Sequence, residues 1–123
     1  MYPADLKYTK DHEWVRIDGA EATVGITDYA QQQLGDVVFV DLPAVGRTLA
    51  QGEVFGTIES VKAVSELFAP VSGEVIAVNA DLPSKPEAVN AEPHATWMIK
   101  VRVARPDETS ALLSSEQYEA LTA

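Results

Sequence analysis

A mainly β fold, a sandwich or small barrel built from short antiparallel strands, is what the sequence predicts, and three observations carry the prediction. Strand-length apolar runs recur at short intervals, and turns carrying glycine or proline separate them. Helical patterning is confined to one short segment before Gly35 and to the stretch after Pro106.

Residues 13–17 and 21–26 flank Asp18-Gly19-Ala20 and form an opening hairpin. Asp28 with Gln31 three residues on has capping-box spacing, and Gly35 after Leu34 supplies a stop, so a helix of about two turns is expected between them. Residues 37–40 are apolar on both strand faces, the pattern of a strand covered on each side and central to the core. Beyond the turn at Pro43 to Gly46, further strands are expected at 53–59, 64–68, 73–79 and 96–103. Pro83, Pro86 and Pro93 interrupt the loop 80–94 and rule out an unbroken element across it. Pro106 suits a first helical position, Ser114 with Gln117 makes a second cap, and Leu112, Leu113, Tyr118 and Leu121 supply a packing stripe. The segment 106–123 is therefore read as a helical extension, broken or in two pieces, and the whole chain 1–123 as one domain.

The composition narrows the function classes. Nine Lys and Arg against nineteen Asp and Glu give a formal net charge of −10, which repels phosphate backbones and anionic membrane surfaces. Neither nucleic acid nor membrane is an expected partner, and like-charge repulsion favours a monomer. With no cysteine, the protein has no thiolate nucleophile, disulfide or zinc-thiolate site of its own, so any sulfur chemistry must be imported. His12 and His94 lack ligand spacing, so no metal site is expected, and no Ser/His/Asp arrangement supports a hydrolase. His12 is expected to pack beside Trp14 at the sheet edge, with Trp14 and Trp97 as core or groove-wall aromatics. The N-terminal stretch has neither a signal-peptide core nor a transit-peptide face, which points to the cytoplasm of a prokaryote, or to the mitochondrion for a processed eukaryotic chain.

One hairpin carries chemistry. Gly52-Glu53-Val54 and Gly73-Glu74-Val75 each open a strand, and Lys62 lies midway between them. Val54, Gly56 and Ile58 are expected on one face of the first arm, and Ser65, Leu67 and Ala69 on one face of the second. The pattern projects the Ser60 to Ala63 turn with one lysine near its tip. An amine so placed is open to a ligase and gives an attached group a long flexible stem, as a carrier domain requires.

The stretch Glu59-Ser60-Val61-Lys62-Ala63-Val64-Ser65-Glu66-Leu67, continuing through Pro70-Val71-Ser72-Gly73-Glu74-Val75, resembles the lipoyl-attachment region of the glycine cleavage system H protein family. The resemblance extends over nearly the whole chain. His12-Glu13-Trp14, Val24-Gly25-Ile26-Thr27, Leu34-Gly35-Asp36, Val40-Asp41-Leu42-Pro43, Val89-Asn90, Trp97 and Pro106-Asp107-Glu108 all fall in register. The stretch Pro93-His94-Ala95-Thr96-Trp97 departs from it, being a residue shorter and lacking glycine. Biotin domains flank their lysine with methionines and dehydrogenase lipoyl domains place an aspartate before it, whereas Val61 and Ala63 stand here.

The resemblance implies a lipoyl-type barrel-sandwich hybrid of two small antiparallel sheets, with lipoate in amide linkage to Lys62. It implies no enzyme but a mobile substrate of three. Glycine decarboxylase (P protein) would load an aminomethyl group, aminomethyltransferase (T protein) would receive it, and dihydrolipoyl dehydrogenase (L protein) would reoxidise the dithiol. A lipoate ligase, or a lipoyl or octanoyl transferase, would modify the lysine. Glu13, Glu66 and Gln33 match the family's arm-holding region, the two carboxylates being expected to hold the cationic end of the loaded arm. The alternatives are a donor relaying lipoyl groups to other complexes, or an unmodified non-carrier homologue.

Overall fold

The computed structural model describes residues 2–122. The strands are β1 Lys7–Tyr8, β2 Glu13–Asp18, β3 Glu21–Ile26, β4 Val37–Asp41, β5 Thr48–Leu49, β6 Val54–Ser60, β7 Val64–Phe68, β8 Gly73–Val78 and β9 Ile99–Val103. Among the described residues, three α-helices, α1 Asp28–Leu34, α2 Ala88–Ala91 and α3 Ser115–Thr122, join short 3-10 turns at Leu82–Ser84 and Pro106–Ala111. The strands form two antiparallel sheets, one ordered β1-β2-β3-β9-β8-β5 and the other β4-β6-β7. The chain is mainly β, as the sequence predicts. No helix among the described residues is long and apolar enough to cross a membrane.

The main core lies between the sheets. Val15, Val24, Val75, Ile99 and Val101 come from the larger sheet, and Val40, Phe55, Ile58 and Leu67 from the smaller. A second, aromatic cluster closes one end: Leu6, Tyr8, Trp14 and Tyr118 are all buried, with Tyr2, Trp97 and Leu113 packed on them. Tyr8 and Tyr118 stack with centroids 4.9 Å apart. The bridge between Tyr8 and Leu113 ties the C-terminal extension to β1. Trp14 packs directly on Gly25, its partner across the hairpin, where a Cβ would sit 2.5 Å from two indole carbons. Only glycine leaves room for that ring.

Two strands differ from their expected faces, and the cause is the same in both. β4 pairs only with β6 and forms an edge, and its register shifts between Val37 and Phe39. This bulge brings Val37 and Val40 both inward and leaves Val38 and Phe39 about half exposed, so the strand is not central and covered on both faces. In β6 a second shift between Val54 and Gly56 puts Phe55 and Ile58 together in the core, so that Val54, Gly56 and Ile58 do not share one face as expected. An inserted residue changes the side-chain period locally, which simple alternation does not register.

Helix boundaries follow local chemistry closely. Thr27, not Asp28, caps α1, its Oγ1 accepting from the Ala30 amide, while Asp28 accepts from the Gln31 side chain. Gly35, at φ 81°, ends the helix. Pro106 opens its 3-10 turn, and Ser114 and Gln117 form the expected reciprocal cap of α3. Leu121 is exposed and takes no part in the predicted stripe. Residue 123 of the expected extension lies outside the described residues. Strands β1 and β5 were not expected, and β9 begins at Ile99, later than predicted.

Candidate functional site

The β6–β7 turn is fixed by Ser60. This residue is 5% exposed, and its Oγ accepts from the amides of Lys62 and Ala63 at 3.2 and 3.0 Å. The Ser60 amide donates to the Ala63 carbonyl at 2.8 Å and closes the turn. From outside the hairpin, the Val61 amide donates to the Asp36 carbonyl at 3.0 Å and seats the turn on the link between α1 and β4.

That link is in turn tied down by Asn90 of α2. Its Oδ1 accepts from the Val37 amide at 2.8 Å, and its Nδ2 donates to the Gly35 carbonyl at 2.8 Å and to the Gln31 side chain at 3.0 Å. The lysine therefore rides on a bonded platform while its side chain stays free. Lys62 is exposed, its stem runs past Gly35, and it belongs to neither of the two ion pairs among the described residues, Arg47–Glu53 and Arg102–Glu74.

A cleft of about 300 Å³ borders the turn. Ala63 and Val64 reach it from the turn, Gln33 and Leu34 from α1, and Ile26, Ile58 and Leu67 give it an apolar lining. Glu13 and Glu66 line it as well, so the structure brings Glu13, Gln33 and Glu66 together in one place. Asp11 and His12 also contribute to its wall, which sequence reasoning did not anticipate. The signal available was their adjacency to Glu13 in a segment already singled out.

The two carboxylates differ. Glu13 is 2% exposed, accepting from the Thr9 hydroxyl at 2.6 Å and from the Phe68 amide at 3.2 Å. Burial pushes its pKa up to about 7, against the opposing pull of those two hydrogen bonds. Glu13 also lines a second cavity, of about 360 Å³, bounded by Lys10, Gln51, Pro70 and Leu112, and so stands between two openings. Glu66 and Gln33 are exposed.

His12 is half-buried, and burial lowers its pKa against the opposing influence of Asp11. Its ring packs on Tyr29 at 4.6 Å, and Nδ1 lies 2.7 Å from the Tyr118 hydroxyl, in place of the expected packing beside Trp14. Trp14 is a core residue whose Nε1 donates to the Pro93 carbonyl at 2.9 Å, while Trp97 is half-buried with the Lys100 ammonium over its ring. His94 Nε2 accepts from the Asp28 amide, so the Pro93 to Trp97 loop is bonded to both β2 and α1.

Comparison with known proteins agrees with the resemblance found in the sequence. Residues 6–123 match the family described as Glycine cleavage H-protein. A glycine cleavage system H protein from Koribacter versatilis is 57% identical over 122 residues, covering 99% of this chain and 94% of its own. One from Rubrobacter xylanophilus is 58% identical over 117 residues, covering 94% of this chain and 90% of its own. The crystal structure of a glycine cleavage system H protein from Mycobacterium marinum superposes with a TM-score of 0.87 at 39% identity, covering 98% of each chain.

Proposed function

Because this chain belongs to the glycine cleavage H-protein family, we propose that it is the lipoyl carrier of the glycine cleavage system, with Lys62 as the attachment point. The observation that carries the reading is an exposed lysine, in no ion pair among the described residues, on a hydrogen-bonded turn bordered by a cleft with an apolar lining and three carboxylates, Asp11, Glu13 and Glu66. These residues fit a lipoyl group, which needs a reachable amine, an apolar wall along its hydrocarbon stem and anions near a cationic cargo. When bound, the group supplies a reactive disulfide on a long stem, the chemistry of aminomethyl transfer.

The chain's own residues then have distinct tasks. Ser60, Asp36 and Asn90 hold the turn in shape, so that motion is confined to the Lys62 side chain and whatever it bears. Ile58 and Leu67 keep water from one side of the cleft, and Gln33 offers a neutral polar contact at its edge. Glu13 and Glu66 hold the ammonium at the end of the loaded arm, an attraction stronger in a partly dehydrated cleft than in bulk water. With a pKa near 7, Glu13 is part-protonated in the empty cleft, and an arriving ammonium draws it into the ionised form. Protonation of Glu13 and loss of the cargo are therefore coupled.

In this reading the chain 1–123 is a single carrier domain and not an enzyme. It works as a monomer in the cytoplasm, visiting glycine decarboxylase, aminomethyltransferase and dihydrolipoyl dehydrogenase, and its charge of −10 steers it onto basic active-site mouths. The test is the intact mass after co-expression with a lipoate ligase and lipoate. One lipoyl group is expected on wild type and none on Lys62→Arg, with unchanged far-ultraviolet circular dichroism. An unmodified lysine, under conditions that modify a control domain, would move the assignment to a non-carrier homologue. Glu13→Gln and Glu66→Gln should shorten the hydrolysis half-life of the loaded arm, and an unchanged half-life in both would overturn their role.

A further inference from the structure

His12 has φ 73°, the one left-handed non-glycine backbone among the described residues. The conformation is held from two sides, the His12 amide donating to the Thr9 carbonyl at 3.1 Å and its carbonyl accepting from the Thr27 amide at 3.0 Å. Its ring joins a row of three groups: His12 Nδ1 lies 2.7 Å from the Tyr118 hydroxyl, which lies 2.7 Å from Thr27 Oγ1. Thr27 and Tyr118 are both 0% exposed, so no solvent can complete the row.

Counting protons sets its direction. Thr27 Oγ1 already accepts from the Ala30 amide, and its own proton has no acceptor among the described residues other than the Tyr118 oxygen. Were Tyr118 to donate to Thr27, a buried hydroxyl proton would be left without a partner. The row with every proton placed runs from Thr27 to Tyr118 to His12 Nδ1. That leaves the imidazole proton on Nε2, which has no hydrogen-bond partner among the described residues, on a side chain that lines the cleft.

We infer that Tyr118 is a positioning residue for the cleft. It holds His12 as the neutral Nε2–H tautomer, so the wall facing a cationic arm end is an uncharged hydrogen-bond donor. Protonating His12 would place a second proton between Nδ1 and Tyr118, and the row would have to reverse. The charged and titratable groups around the ring are Asp11 and Glu13 on its own segment, Tyr29 from α1, Glu66 from β7 and Tyr118 from α3. Burial and the direction of the row oppose an imidazolium, whereas Asp11 favours it. An imidazolium would repel the ammonium that Glu13 and Glu66 attract, so the C-terminal helix, through one hydroxyl, keeps a competing charge out of the cleft. The link to the cargo rests on the carrier reading above; the tautomer does not.

The test is long-range proton–nitrogen NMR of the full-length unmodified protein between pH 5 and 8, for wild type, Tyr118→Phe and Thr27→Val. Wild type should show His12 as Nε2–H, titrating below the ordinary histidine value. Tyr118→Phe, which keeps the buried ring, should raise that midpoint by about half to one pH unit, the size of one hydrogen bond, and mix the tautomers. Thr27→Val should keep Nε2–H, because Tyr118 still donates to His12. An Nδ1–H form in wild type or in Thr27→Val, or an unmoved midpoint in Tyr118→Phe, would overturn the inference.

A second measurement reads release from the loaded arm at pH 6 and pH 8. Tyr118→Phe should speed release roughly three- to tenfold more at pH 6 than at pH 8. Equal effects at both values, with the tautomer shift observed, would overturn the link to the cargo. Should Lys62 never accept a lipoyl group, the carrier reading fails and the NMR result still decides the tautomer.

Discussion

Glu13 and Glu66 line one cleft from different strands, β2 and β7, but in contrasting surroundings. Glu13 is buried, bonded to Thr9 and Phe68, and backed by a segment that α3 grips through His12 and Tyr118. Glu66 stands exposed on a hairpin whose neighbouring Val61 and Val64 are also largely open. A carboxylate in the first setting is held in place and has its ionisation altered by burial. In the second it keeps its freedom and its hydration. In the proposed carrier reading, the pairing suits a cleft that holds a charge and also lets it go, with the geometry supplied by one wall and the opening by the other.

The sharpest way to break this comparison is pH. The Glu13 pKa is raised from the ordinary 4.5 to about 7, so the folded state binds its proton more tightly than the unfolded state does. Its stabilising contribution is present below about pH 4.5 and is lost as pH rises through about 7, with roughly 2–3 kcal/mol of the fall lying between pH 5 and pH 8. His12 and His94, whose pKa values are lowered by burial, act in the opposite sense, since their neutral forms are favoured and stability from them grows as pH rises. Urea unfolding of wild type and Glu13→Gln at pH 5 and pH 8 cancels the histidines. The wild-type advantage should shrink by that amount at the higher pH, and parallel behaviour would erase the distinction between the walls.

Next in size is Asn90→Ala, which removes the bonds to Val37, Gly35 and Gln31 and should cost about 1–3 kcal/mol. Hydrogen exchange at the Val61 amide should speed up with it, because its Asp36 acceptor loses support. Ser60→Ala should cost about 1 kcal/mol, with faster exchange confined to the Lys62 and Ala63 amides. Smallest is Glu66→Gln, expected to leave thermal stability within about 0.5 kcal/mol. A larger loss would mean that Glu66 is as firmly built in as Glu13.

What the sequence disclosed follows from how local its signals are. The Ser60 to Ala63 turn, the Gly35 stop, Pro106 and the Ser114–Gln117 cap each rest on residues within a few positions of one another, and all are found where expected. The bulges in β4 and β6 are set by pairing partners, so simple alternation predicts cover for Val38 and Phe39 and a shared face for Val54, Gly56 and Ile58, neither of which the pairing allows. Two-residue strands such as β1 and β5 exist only because a neighbour is there to bond them. In the site, Glu13, Gln33 and Glu66 were legible through a family pattern. The His12–Tyr118 contact was not, since it joins residues 106 positions apart.

The indole of Trp14 lying on Gly25 ties two positions into one inheritable unit. A side chain at residue 25 has no room while the tryptophan stays, and a smaller residue at 14 would leave a void and free the Pro93 carbonyl. A change at either site alone is therefore costly, and a compensated change at both costs less. A lineage in which residue 25 bears a side chain should therefore also have lost the indole.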